Sequence, residues 1–361
     1  MKRRGIVISG GGTGGHLYPA LAVGRKLQEM DPDLRLTYIG SHRPLEKDLM
    51  ERHHAHFIPM RIEGIKGRGL KSLKAMVLVP LALVKSLFLL VRLRPGLVIG
   101  VGGYSAGPVV LSASFLRIPT LILEQNATPG FTNRLLIRRA RKAVVAFRSS
   151  LPYFKGKAVF LGNPVREEFT RIRPKPRDSV LSVLVFGGSQ GSRVLNEATT
   201  AALPFLRLRR DSLRLAHQTG PADFEKVKES YVQNGFPEAE VAPFFFDMAS
   251  HFEKSDLVVC RAGATTIAEL IVARKAALLV PFAQASEDHQ AKNAGELERI
   301  SGAEVIPEKD LTPPFLAERI LFYQKNPERL STMESNLASL RTEDPAGRIA
   351  ALCFEMLEGK V

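Results

Sequence analysis

The sequence predicts an α/β protein made of two doubly wound, Rossmann-like domains. Three observations predict it: short apolar strands alternate with helical stretches along the chain, three glycine clusters each follow such a strand, and the pattern restarts near residue 182. Strand–helix alternation implies a parallel sheet covered by helices on both faces. The 361 residues suit two or three domains of roughly 100–200 residues each.

In order along the chain, Arg4–Ser9 (RGIVIS) reads as a strand running into glycines, followed by an apolar-periodic helix from about His16 to Met30. Leu34–Ile39, Leu97–Val101, Thr120–Leu123 and Ala143–Ala146 read as further strands. Gly162-Asn163-Pro164 is a turn in a place suited to a hinge. The second half begins with a loop over 170–180. It continues with strand Ser182–Phe186, a glycine loop and a helix from about Arg193, then strands Leu213–His217, Leu257–Cys260 and Ala277–Val280. The expected domains are 1–163 and 164–344. The helical tail, about 345–361, is compatible with either half, including a return onto the first.

Composition narrows the class. A chain that is 45% hydrophobic and 24% charged is neither disordered nor collagen-like. Its two cysteines, Cys260 and Cys353, form no CxxC or Cys/His metal spacing and no disulfide framework, which fits a reducing compartment. Ile6-Val7-Ile8 is too short an apolar run for a signal peptide. The net charge of +15 is one-sided: residues 1–165 carry 26 basic and 8 acidic residues, while the remainder is net −3. Such asymmetry points to an anionic surface partner. With no Trp and no helix-turn-helix, zinc-finger or RNP signature, nucleic acid is the weaker candidate.

Residues 70–94 (LKSLKAMVLVPLALVKSLFLLVRLR) are the most apolar segment. At about 100° per residue, Lys71, Lys74, Lys85 and Arg92 share one helical stripe, and Leu, Val, Met and Phe88 cover the rest. Pro80 stands inside this helix, where it can kink it. A spanning helix needs ~20 predominantly apolar residues, and here Lys85 and Pro80 interrupt a shorter run. Three readings compete: that spanning helix, an interfacial helix with its cations toward anionic head groups, which fits both stripe and charge, and a core helix with cations on one edge.

The three glycine loops are Gly10-Gly11-Gly12-Thr13-Gly14-Gly15-His16, Gly100-Val101-Gly102-Gly103-Tyr104 and Gly187-Gly188-Ser189-Gln190-Gly191-Ser192. Open α/β sheets bind ligands at the carboxyl ends of their strands, where loop N–H groups and helix N-termini meet phosphate. None is a Walker A motif, and the first is a poor dinucleotide fingerprint. His16 follows the first loop; its position suits a general base and equally a capping or packing histidine. His53, His54 and His56 cluster on a surface connection and read as solvated, not as a metal site. In the second half, Arg261-Ala262-Gly263-Ala264-Thr265-Thr266 follows a strand and opens a helix, with Glu269 one turn on. Hydroxyls and N–H groups there suit phosphate, and the carboxylate suits ribose hydroxyls; an N-cap with Glu269 on the helix surface is the alternative. Asp288-His289-Gln290 opens another helix with groups suited to sugar hydroxyls.

GGGTGGHLYPALA, GGYSAGP, EQNATPGFTNR, GNPVR, GGSQGS, RAGATTIAE and DHQAKNA occur in this order. In these motifs, over roughly residues 5–355, the chain resembles the MurG family of peptidoglycan synthesis. The resemblance implies a GT-B fold, two Rossmann-like domains facing a cleft. It implies an inverting transfer of GlcNAc from UDP-GlcNAc to lipid I, giving lipid II, at the inner face of the cell membrane. No metal and no cofactor are required. Anionic membrane lipids and proteins of cell-wall synthesis and division are the implied partners.

Site roles follow from the same resemblance, position by position. Thr13, Gly14 and Gly15 belong to the substrate-binding loop. Ser189 and Gln190 would meet the donor diphosphate, and Arg166 would help bind the nucleotide. Phe245 takes the place whose backbone reads uracil. Ala264, Thr265 and Thr266 would lie near the phosphates, Glu269 at the ribose, and His289 and Gln290 at the GlcNAc ring. Asn126 would face the sugar. Thr13, His16 and Tyr104 would line the acceptor side, with His16 the favoured base. Lys71, Lys74, Lys85, Phe88 and Arg92 are the expected membrane-facing residues.

An in-line displacement at the anomeric carbon needs a base for the attacking hydroxyl and stabilisation of departing UDP. Without a metal cluster, helix N-termini, loop N–H groups and Arg166 supply the latter. A lipid-linked anionic acceptor also accounts for the basic first half and the 70–94 segment. A diacylglycerol glycosyltransferase, a UDP-GlcNAc 2-epimerase and a nonenzymatic membrane scaffold remain alternatives at this stage.

Overall fold

The computed structural model describes residues 5–11, 14–60, 70–173 and 175–361; the side chains of 45, 70–79 and 286 lie outside the description. The chain forms two compact units, Met1–Arg166 with Thr342–Val361, and Glu167–Arg341.

The first unit contains β1 (Gly5–Ser9), α1 (Gly14–Met30), β2 (Arg35–Ser41), α2 (Pro44–Arg52), β3 (Phe57–Met60), α3 (Leu70–Leu93), β4 (Leu97–Gly100), α4 (Ala106–Phe115), β5 (Thr120–Glu124), α5 (Phe131–Leu136), β6 (Lys142–Val145) and β7 (Ala158–Phe160). The sheet order is β3-β2-β1-β4-β5-β6-β7, parallel throughout. The central strands are buried end to end, as a sheet covered on both faces requires. Side chains alternate between two cores. Ile6, Ile8, Leu97 and Ile99 pack with Leu17 and Leu27 of α1, while Val7, Val98 and Ile122 pack with Val109 and Val110 of α4 and Leu90 of α3.

The second unit contains α6 (Glu167–Thr170), β8 (Leu181–Phe186), α7 (Arg193–Leu206), β9 (Leu213–Gln218), α8 (Phe224–Gln233), β10 (Glu240–Ala242), α9 (Met248–Lys254), β11 (Leu257–Cys260), α10 (Ala264–Ala273), β12 (Ala277–Leu279), α11 (His289–Glu298), β13 (Glu304–Val305), α12 (Pro313–Lys325) and α13 (Pro327–Ala338). Its parallel order, β10-β9-β8-β11-β12-β13, repeats the first six strands of the other sheet. Val183, Val185 and Val259 pack with Leu195 of α7 and Leu316 and Ile320 of α12. On the opposite face, Phe252 packs edge-on to Phe169 at 5.0 Å and tilted on Phe186 at 5.8 Å.

The last helix, α14 (Pro345–Glu358), belongs to the first unit. Its Ile349, Ala350, Cys353 and Met356 are buried in the core shared with α1. Gly162 (φ +85°) is where the chain passes under Thr342 and Pro345; a side chain there would collide with Thr342. The thiols of Cys353 and Cys260 are buried and unbridged, and burial pushes both pKa values up.

Helix α3 runs over Leu70–Leu93 with Pro80 inside it. Ala82, Ser86 and Leu90 form its buried side, and the buried Ser86 hydroxyl donates to the Ala82 carbonyl at 2.6 Å. Leu81, Val84, Phe88 and Val91 are 57–65% exposed, beside exposed Lys85 and Arg92. Among the described residues, no helix is long and apolar enough to cross a membrane.

Candidate active site

In both sheets the strand order reverses beside the first strand, at β1/β4 and at β8/β11. That reversal opens a crevice beyond the carboxyl ends of the strands. The fold therefore brings the first two glycine loops together in one unit, and GGSQGS together with the segment after β11 in the other.

In the first unit, the β1 and β4 loops touch at backbone distance. Gly103 (φ +78°) lies so close to the Gly11 carbonyl that a side chain would collide with it. Gly102 (φ +92°) faces the His16 imidazole: a methyl group there would lie 2.8 Å from Cδ2 and 2.9 Å from Nε2. Glycine is required twice over, for φ and for space. His16 is the third residue of α1 and half-buried. Tyr104 is 42% exposed on the same loop. Gly14 and Gly15 begin α1, and Gly14 lies against the Tyr18 ring. The Arg166 guanidinium stacks over that ring at 4.9 Å. Thr13 lies outside the described residues, as do the side chains of Lys71 and Lys74.

Asn126 is held by its neighbour. The buried Glu124 carboxylate accepts from Asn126 N (2.9 Å) and Nδ2 (3.1 Å) through one oxygen, and from Gly130 N (3.0 Å) and Asn133 Nδ2 (2.8 Å) through the other. Burial pushes the Glu124 pKa up, against the opposing pull of these donors. Gln125 Nε2 donates to the Val101 carbonyl at 3.1 Å, tying this turn to the β4 loop.

In the second unit, Ser189 and Gln190 are exposed at the tip of the β8 loop. Ser192 caps α7, its hydroxyl accepting from Leu195 N. The same hydroxyl accepts from Arg261 Nε (3.0 Å) and Nη2 (2.7 Å), and Arg261 Nη1 donates to the Val280 carbonyl. Arg261 also pairs with Glu308, so one buried cation ties the β8, β11 and β12 loop ends together. Ala264, Thr265 and Thr266 form the first turn of α10, whose N-cap residue Gly263 supplies no side-chain cap. Glu269, one turn further, is buried rather than on the helix surface. His289 begins α11 and is half-buried, and Gln290 Oε1 accepts from Phe282 N at 3.0 Å. Phe245 is buried, stacked on His251 at 3.8 Å, and its N–H donates to Gln218 Oε1 at 2.8 Å. Among the described residues, no group of three or more His, Cys, Asp or Glu could hold a metal ion.

Sequence reading passed over Glu124, Gln125, Arg261 and Gln218 as site residues. The first three stand inside motifs it quoted, next to residues it chose; buried polar groups beside glycine loops are the signal that marks them. It also passed over a buried chain behind the β8 loop. His217 Nδ1 and Nε2 meet Tyr231 OH and Asn196 Oδ1, both at 3.1 Å, and Asn196 Nδ2 donates to the Thr219 carbonyl and to Asp223. Burial pushes the His217 pKa down from 6.5 to about 3. A histidine kept neutral when folded contributes stability that is complete above pH 6.5 and is lost as pH falls toward 3. Lowering pH from 7.5 to 5 should therefore cost this unit about 2 kcal/mol through His217. Urea unfolding at both pH values, with His217→Gln beside wild type, checks it; equal pH dependence in the two proteins would refute it.

Two doubly wound parallel sheets, sharing one strand order over six strands, are the architecture of the GT-B fold class. Family models agree: "Glycosyltransferase family 28 N-terminal domain" matches residues 6–145 and "Glycosyltransferase family 28 C-terminal domain" matches residues 182–349. The chain is similar to the UDP-N-acetylglucosamine--N-acetylmuramyl-(pentapeptide) pyrophosphoryl-undecaprenol N-acetylglucosamine transferases of Syntrophus aciditrophicus (42% identity, 98% of each chain) and Myxococcus xanthus (41%, 98% of this chain and 93% of that one). Among solved structures it is similar to MurG of Acinetobacter baumannii, with a TM-score of 0.79 and 29% identity over 97% of this chain and 99% of that one. A putative UDP-N-acetylglucosamine 2-epimerase of Listeria monocytogenes, at TM-score 0.73 and 12% identity over 99% and 97%, shares the fold alone. The chain belongs to glycosyltransferase family 28 and, within it, to the MurG family.

Proposed function

We propose that this enzyme transfers GlcNAc from UDP-GlcNAc to the muramoyl 4-hydroxyl of lipid I, with inversion, releasing UDP and forming lipid II. The observation that carries this reading is the full-length similarity to transferases of that name, over 98% of the chain. The first unit supplies the acceptor-side groups, Thr13, His16 and Tyr104, with Asn126 toward the sugar. The second supplies the donor-side groups. Phe245 serves the base, Glu269 the ribose, Ser189, Gln190, Ala264, Thr265 and Thr266 the diphosphate, and His289 and Gln290 the GlcNAc ring. Arg166 assists at the nucleotide, and Gly14 and Gly15 bring backbone N–H groups close to substrate.

In the reaction, the muramoyl oxygen forms a bond to the anomeric carbon as the bond to the UDP oxygen breaks, and His16 takes the hydroxyl proton. UDP leaves with the electron pair. The N-termini of α7 and α10 face that growing negative charge. The chain's own groups suffice for this chemistry without a cofactor.

UDP release from UDP-GlcNAc, with and without a lipid I analogue, tests the reading. Release that depends on lipid I is expected. Release indifferent to it would favour 2-epimerase chemistry, and release driven by diacylglycerol would favour a glycolipid transferase.

The enzyme works as a peripheral protein on the cytoplasmic face of the cell membrane. The exposed apolar stripe of α3 beside Lys85 and Arg92 supports this, as does the excess of basic residues in the first half. Replacing Lys71, Lys74, Lys85 and Arg92 with Gln removes about 1 kcal/mol of attraction per residue. Binding to vesicles containing phosphatidylglycerol should then weaken on the order of a hundredfold or more. Unchanged co-sedimentation would exclude α3 as the membrane contact.

A further inference from the structure

The last two residues of β9 point to opposite faces of their sheet. His217 anchors the buried chain described above. Gln218, 2% exposed, turns to the other side and spans two loops. Its Nε2 donates to the Gly188 carbonyl at 3.0 Å, in the β8 loop, and its Oε1 accepts from Phe245 N at 2.8 Å. The backbone around it is stitched to the same two places. Thr219 N donates to the Ala242 carbonyl and Gly220 N to the Pro243 carbonyl, both leading to Phe245. Gly191 and Gly220, both with positive φ, interlock against the Thr219 and Gln190 carbonyls with no room for side chains.

A primary amide has a donor at one end and an acceptor at the other, and here each end holds a different loop. Any shift of Phe245 that admits a base moves the acceptor that holds it. That movement reaches Gly188, one residue before Ser189. Uracil offers a donor at N3 where cytosine offers an acceptor, so the placement of the Phe245 peptide bears on which base fits.

We propose that Gln218 is a positioning residue that couples nucleobase recognition at Phe245 to diphosphate binding at the Gly188 loop, making the two halves of the donor bind cooperatively. The proposal rests on the donor reading above.

The test is calorimetric titration of the full chain with inorganic pyrophosphate, alone and in saturating uridine. In wild type, uridine should tighten pyrophosphate binding by roughly 5-fold or more, the lower end of ordinary coupling between sites. In Gln218→Met the factor should fall to about one, with the KM for UDP-GlcNAc raised about tenfold and kcat little changed. Gln218→Glu keeps the acceptor for Phe245 and loses the donor to Gly188. It should keep uridine affinity and lose the coupling, and it serves if the Met variant does not fold. A merely structural role would lower thermal stability and both affinities together, leaving the coupling factor at its wild-type value; that result overturns the proposal. So does a wild-type protein that binds UDP but shows no coupling. A wild type that binds neither UDP nor uridine overturns the donor reading itself.

Discussion

His16→Ala is expected to lower acceptor-dependent UDP release by about 10²–10⁴-fold, the ordinary contribution of a positioned general base. The imidazole lies beside Gly102 at a second strand end, where a side chain would collide with the ring. The residues proposed for the donor, Ser189, Gln190, Phe245 and Glu269, all lie in the second unit, and His16 lies in the first. The KM for UDP-GlcNAc should therefore stay within a few-fold while kcat collapses. A variant retaining wild-type kcat would hand proton transfer to another group or to water, while leaving the transferase reading in place.

The second large effect is on stability. Glu124→Ala removes the buried acceptor of four N–H donors, two from Asn126 and one each from Gly130 and Asn133. Breaking such a network costs about 3 kcal/mol or more, because the stranded donors cannot all reach water. For a unit of this size that lowers Tm by roughly 6–12 °C. Glu124→Gln should fall between, since one amide oxygen replaces two carboxylate oxygens and the new NH2 faces donors. Activity should fall in both variants below their melting temperatures, because Asn126 loses two of its holds. A Tm unchanged in Glu124→Ala would mean that the turn is held by other contacts, such as Ser150 on the Asn126 and Ala127 carbonyls.

Much of this was legible along the chain. The central strands read correctly from their unbroken apolar runs, because a strand covered on both faces has no polar side to show. Four strands were missed: Phe57–Met60, Ala158–Phe160, Glu240–Ala242 and Glu304–Val305. All four are sheet edges, short and only half-buried, so they carry little of the apolar signal that marks a strand. The helix over 70–94 was legible as apolar with a cationic stripe. Phe88, Lys85 and Arg92 were expected on an outward side, and all three are exposed; that Ala82, Ser86 and Leu90 form the buried side was not legible, because both sides are rich in Leu and Val.

The sequence by itself determined the residue types at each strand end: glycines that admit close backbone approach, a histidine after the first loop, and threonines and a glutamate after the strand Leu257–Cys260. These follow from local chemistry, which neighbouring residues carry among themselves. Tertiary structure alone decided which strand ends meet. Strand order brings Gly102 to His16 and Arg261 to Ser192, across separations of 86 and 69 residues that no local pattern encodes. It also decided that the last helix joins the core of the first unit, where Ile349, Cys353 and Met356 are buried with the apolar side of α1, across the whole intervening second unit.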